Sequence, residues 1–230
     1  MSKDKAAIAI SVMWAIWSSR NKYTHEEIKF QPSRSMDLIQ ELIQALHVPG
    51  MPSSGVTLCK AKWHPPAAGT IKINTDAAVD VSERRSSLGV VARDHLGTFV
   101  AGRCSKFPGV TDALPDAYVA ELLAVREAVL LARDNGWPNI LIETDCQVIR
   151  NEWKNGDLSS VGGHVLREIK SCLSNFQGFD IVYTRRDANV VAHRCANEGL
   201  SSSLNVISFN VIPDFLVALV QSDIDRRYDE

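Results

Sequence analysis

The stretch 116–136, DAYVAELLAVREAVLLARDNG, constrains the fold more than any other in the chain. It reads as one long helix, with Asp116 near its start and Asn135-Gly136 at its C-terminus. At about 100° per residue, Arg126, Glu127, Arg133 and Asp134 gather on one side. Glu121 falls nearly opposite them, among Ala117, Ala124, Val125 and Ala128. A stripe of that kind must be covered by another layer of structure, here a sheet. Burying an isolated carboxylate is costly unless it is paired or bound to a metal. Glu121 therefore demands a partner.

The sheet is legible on both sides of this helix. TIKINTDA (70–77) alternates, with Ile71, Ile73 and Thr75 on one face and Lys72, Asn74 and Asp76 on the other. LGVVARD (88–94) and TFVAGRCS (98–105) are rich in β-branched residues and flank a short hairpin turn. After the helix come a strand at 139–144, helices at 146–156 and 161–176, a strand at 179–184 and a helix at 187–200. Strands that return through helices run parallel, because the crossover needs that length. The expectation is a mixed α/β domain whose five-stranded sheet has three antiparallel strands followed by two parallel ones.

The remaining segments divide the chain. Residues 1–46 read as two helices broken near Pro32, forming an accessory segment. Residues 47–62 begin with the Pro-, Gly- and Ser-rich HVPGMPSSGV and form a linker. Residues 63–200 form the domain, and 201–230 a C-terminal tail with a short helix. The uncharged run 6–17 is too short to span a bilayer, which takes about 20 apolar residues. Asp4, Trp14 and Trp17, with no small-residue cleavage site, argue against a secretory signal. No membrane partner is expected. A net charge of −2 gives no global basic field, so any polyanion must meet a local patch or metal ions. Five cysteines without CxxC spacing favour a reducing, intracellular setting over a disulfide framework.

Asp76 ends the first strand and Asp145 follows the fourth. Taken singly, Asp76 could belong to a turn, Asp145 could cap the helix starting at Cys146, and Glu121 could pair with an arginine. Together, two strand-end carboxylates and one on a sheet-facing helix can converge on one point. An oxygen-only cluster suits Mg²⁺, or Mn²⁺, rather than zinc.

INTDAA, AELLAVREAVLLA, ILIETDCQVI and RRDANVVAHRCAN resemble, in that order, the segments of the type 1 ribonuclease H domain. The form they resemble stands at the C-terminus of plant non-LTR retrotransposon reverse transcriptases and in stand-alone relatives. Residues 15–26 and 213–224 resemble the segments flanking that domain in the plant elements. No polymerase region is present, which would make the chain a terminal fragment or a domesticated piece.

The resemblance implies a ribonuclease H-like fold and metal-dependent endonucleolytic cleavage of the RNA strand in an RNA–DNA hybrid by a monomer. Asp76, Glu121 and Asp145 match the first three metal-binding carboxylates of the family. Two ions about 4 Å apart would activate a water and stabilise the leaving 3′ oxygen. Asp76 would bridge both, Asp145 would hold the nucleophile-side ion and Glu121 the other. His193 stands where most active enzymes carry a fourth aspartate, and Ala77 where a glycine often follows the first. Arg185 and Arg186 replace the mobile histidine loop of bacterial enzymes, and Arg186 or His193 could assist product departure. Candidate phosphate contacts are Arg84, Arg85, Asn151, Lys154 and Arg185, each also readable as a solvated surface group. Histidine is a weaker Mg²⁺ ligand than a carboxylate, so a hybrid-binding or interaction domain without turnover is the alternative. A 3′–5′ exonuclease would need two acids one residue apart on the first strand, where this chain has Asn74-Thr75-Asp76.

Overall fold

The structure is a computed structural model that describes residues 61–80, 83, 85–108, 113–156, 158 and 160–225. The proposed N-terminal helices, nearly all of the linker and Arg84 lie outside the described residues. Among the described residues, no helix is long and apolar enough to cross a membrane.

Three strands, β1 (Ile71–Asp80), β2 (Arg85–Arg93) and β3 (Phe99–Pro108), form an antiparallel meander. Asp94 at the β2–β3 turn accepts hydrogen bonds from the Leu96 and Thr98 amides, closing the hairpin at HLG. The long helix follows as α1 (Ala113–Asp134), then β4 (Asn139–Thr144), α2 (Gln147–Asn155), α3 (Gly163–Leu173) and β5 (Gly178–Tyr183). A 3-10 turn at Arg186–Ala188 leads into α4 (Val190–Ser201). Both β4 and β5 are parallel, as the crossover argument requires.

The sheet has six strands rather than five, in the order β5-β4-β1-β2-β3-β6. The addition is β6 (Val206–Phe209), antiparallel to β3 and followed by helix α5 (Asp214–Asp225). Four residues in a polar surrounding carry too little periodicity to announce a strand; β6 exists because β3 offers it an open edge.

Helices cover both faces. On one, α1 and α3 pack over Ile73, Val90, Ala92, Ile140, Ile142 and Ile181. On the other, Val191 and Cys195 of α4 and Leu216 and Val220 of α5 close over Val91 and Cys104. The Lys72-Asn74-Asp76 face of β1 is consequently buried, with exposures of 5%, 0% and 4%. Its polar atoms are matched internally. Lys72 donates to Glu143 at 2.6 Å, and the Asn74 amide donates to Glu143 Oε2 and to Asn189 Oδ1. Fully buried Arg93 donates to Asn74 at 2.8 Å and to Asp223 at 2.7 Å, with its guanidinium 3.6 Å from the centre of the Trp63 ring. Charges withdrawn from water at this depth are tolerated only when paired in this way.

Candidate active site

Asp76 stands at a step in the sheet. The parallel ladder between β1 and β4 ends at Thr75↔Thr144, whereas β1 continues to Asp80 against β2. Asp76 is therefore not the strand's last residue, nor part of a turn; it is the first one past the end of β4. From there on, among the described residues, no strand pairs with the edge of β1 that β4 had occupied. The Glu121 carboxylate of α1 comes to that edge and accepts a hydrogen bond from the Ala77 amide. The stripe predicted around Glu121 is buried, with Ala124, Val125 and Ala128 at 0% exposure. The β4 chain meanwhile turns out at Asp145, placing its carboxylate at the same notch.

The three acids converge as the sequence suggested. One carboxylate oxygen from each of Asp76, Glu121 and Asp145 lies within 4.8 Å of the others. The alternative roles fall away. The residue capping α2 is Cys146, with no side-chain cap, and Glu121 has no ion pair among the described residues. Instead Glu121 Oε2 is buried and without a hydrogen-bond partner. Burial, then the nearby Asp76 and Asp145 charges, push the Glu121 pKa well up, against the Ala77 amide. Burial and Asp76 also raise Asp145, opposed by Arg186. An acceptor orphaned in a cluster of like charges is a position that a divalent cation would satisfy, and the oxygen-only donor set fits Mg²⁺ or Mn²⁺.

His193 arrives from the opposite face. Gly89 of β2 pairs with Asp76, and α4 lies directly on Gly89. A Cβ there would sit 2.3 Å from the Ala196 nitrogen and 2.5 Å from the Ala192 oxygen. That approach sets His193 Nδ1 at 2.8 Å from Asp76 Oδ2. The Asn197 amide meets Nε2 at 3.1 Å, so Nδ1 carries the hydrogen and donates to Asp76. The hydrogen bond to Asp76 raises the His193 pKa, with burial working against it. Asn189 anchors the same helix, donating to the Thr75 carbonyl at 2.9 Å while its own carbonyl accepts from the His193 amide. Neither Asn189 nor Asn197 was anticipated, although the spacing of four on each side of His193 puts all three on one helix face.

The other expected site residues are spread more widely. Arg186 is 90% exposed and its Nε lies 3.3 Å from Asp145 Oδ2. Arg185 is exposed just before the 3-10 turn, and Asn151 and Lys154 are exposed on α2. Arg85 is occupied within its own hairpin by Glu83 and Asp80. Cys146, beside Asp145, is half-buried and its thiol is pushed up to about 11 by burial, which makes it a poor nucleophile.

The family model described as reverse transcriptase-like matches residues 74–199, more than half of the chain, from Asn74 of β1 through α4. The chain belongs to the reverse transcriptase-like family. It carries an RNase H-like domain of the retrotransposon-type group. A provisionally designated ribonuclease H protein of Arabidopsis thaliana is 31% identical over 171 residues, covering 70% of this chain and 25% of that protein. The chain thus spans about a quarter of that relative's length. RNase H1 from the archaeon Halobacterium salinarum matches with a TM-score of 0.50 at 21% identity, covering 57% of this chain and 98% of that one. The N-terminal RNase H domain of a Mycobacterium tuberculosis protein, solved as a maltose-binding-protein fusion, gives 0.50 at 16%, covering 57% and 94%. At these identities the two structures establish the fold of this reverse transcriptase-like domain.

Proposed function

We propose that this chain is a metal-dependent endonuclease that cleaves the RNA strand of RNA–DNA hybrids. The observation that carries the reading is the convergence of Asp76, Glu121 and Asp145 on one notch, with Glu121 Oε2 buried and unpartnered. Those three side chains would hold Mg²⁺ or Mn²⁺, which when bound supplies an acidified water and neutralises charge on the scissile phosphate. Water adds to phosphorus and the bond to the 3′ oxygen breaks, leaving a 5′-phosphate and a 3′-hydroxyl. His193, with Asn197 behind it, fixes the orientation of the Asp76 carboxylate. Arg186, almost fully exposed beside Asp145, presents guanidinium donors to a phosphate oxygen. Selection of RNA rests on contacts to 2′-hydroxyls across the minor groove, with Arg185, Asn151 and Lys154 as backbone partners. The protein acts as an intracellular monomer.

The second reading, hybrid binding without turnover, is favoured by one observation: the group on α4 that meets Asp76 is an imidazole rather than a carboxylate. The exonuclease reading loses ground, because Asn74 is committed to Glu143, Asn189 and Arg93.

Cleavage of a labelled hybrid in Mg²⁺ and in Mn²⁺, compared with Asp76→Asn and Glu121→Gln, tests the proposal. The wild type should cut and both variants should lose activity by about 10²-fold or more while still folding. Hybrid binding with cleavage in neither metal would select the second reading.

A further inference from the structure

We propose that this centre holds one divalent ion rather than two, because His193 occupies the side of Asp76 that a second ion would use. The inference rests on the metal-dependent reading above and concerns how many ions that site accepts. A pair of ions about 4 Å apart is held more strongly where a carboxylate between them has both oxygens free and further anionic ligands stand on each side. Asp76 is the central acid, yet its Oδ2 already accepts from His193 Nδ1 at 2.8 Å. Oδ2 thereby commits one lone pair and one side of approach to the imidazole, and Oδ1 is the oxygen left clear. The imidazole cannot act as a ligand itself without breaking its contacts. Nδ1 bears the hydrogen given to Asp76, and Nε2 faces the Asn197 amide, which also donates to the His193 carbonyl at 2.9 Å.

No other acid on α4 compensates. Glu198 lies five residues further on and pairs with Arg194 at 3.0 Å. On the opposite flank Arg186 lies against Asp145 Oδ2, supplying a positive charge where further cation binding would otherwise be favoured. Among the described residues the acids group as one set of three, and each of them already meets one donor, His193 at Asp76, Arg186 at Asp145 and the Ala77 amide at Glu121. The buried oxygen left without a hydrogen-bond partner is Glu121 Oε2. One ion seated among Asp76, Glu121 and Asp145 satisfies it and leaves the His193 hydrogen bond in place.

Electron paramagnetic resonance of the Mn²⁺-loaded protein separates the cases, because two ions at about 4 Å couple magnetically and a lone ion does not. The wild type should show an uncoupled spectrum that saturates at one ion per chain, with or without an RNA–DNA hybrid made uncleavable by 2′-O-methylation. His193→Asp, at an exposed position whose folding is checked by circular dichroism, should gain a coupled pair. A coupled spectrum from the wild type would overturn the proposal while leaving the nuclease reading intact. An uncoupled spectrum from folded His193→Asp would also overturn it, since His193 would not be what excludes the second ion. Absence of any specific Mn²⁺ binding would sink both readings together.

Discussion

Glu121, Asp145 and His193 are all shifted upward, the two acids by burial among like charges and the histidine by its bond to Asp76. Each binds its proton more tightly in the folded chain than in the unfolded one. Their combined contribution is therefore present at low pH and is lost as pH rises through the raised folded values. The metal-free protein should lose melting temperature as pH rises above the ordinary carboxylate and imidazole values, and millimolar Mg²⁺ should restore it. Scanning fluorimetry in EDTA and in MgCl₂ measures both effects, and Asp145→Asn should flatten the metal-free slope. A slope unaffected by metal and by the substitution would mean that the acids are not strained in this way. At Cys146 the thiol moves from 9.0 to about 11, which lowers the thiolate fraction by about a hundredfold. Its alkylation by iodoacetamide near neutral pH should be slower than in urea by at least that factor, read by mass spectrometry of the labelled peptide.

At the scale of elements, the contact between β2 and α4 decides whether the site assembles. Gly89→Ala forces a methyl into the α4 backbone, so the helix must shift and carry His193 away from Asp76. Loss of about 1–3 kcal/mol is expected in urea denaturation, together with a changed His193 imidazole resonance. An unchanged resonance would show that α4 does not depend on that approach. The elements that the sequence announced were those with long, regular periodicity. The α1 stripe, the β4 run ending at Thr144 and the Gly156 stop of α2, at φ 70°, all lie where the pattern put them. Two features were not legible. The Lys72-Asn74-Asp76 face alternates with Ile71, Ile73 and Thr75 as though it met solvent, yet it is buried, because Glu143 and Arg93, distant in sequence, complete its hydrogen bonding. The notch itself depends on where two ladders stop relative to each other, and a single strand's composition does not encode that offset. The three acids could be picked out because each was out of place locally; Asn189 and Asn197 could not, because polar residues on a surface helix are ordinary.

For the whole molecule, the segment 201–225 belongs to the packed structure as much as the strands before it. Termination after Leu200 removes β6 and α5, taking away fully buried Leu216 and nearly buried Val220. At about 1.5–3 kcal/mol for each such side chain, the two together cost about 3–6 kcal/mol, which reaches the low end of an ordinary domain's stability. The same cut deprives buried Arg93 of Asp223. The shortened chain should be poorly soluble and should melt without a cooperative transition by circular dichroism; a sharp, near-native transition would contradict the packing described. Asp223 also reaches further than its own helix. It grips Arg93, Arg93 grips Asn74, and Asn74 meets Asn189 at the root of the helix that bears His193. A ribosome delivers these partners in sequence order, and the outermost brace, Asp223, is made after the strands and helices that carry the notch. The acid notch is thus braced from α5, and a chain released before that helix is made would leave Arg93, and through it Asn74 and Asn189, without their outer support.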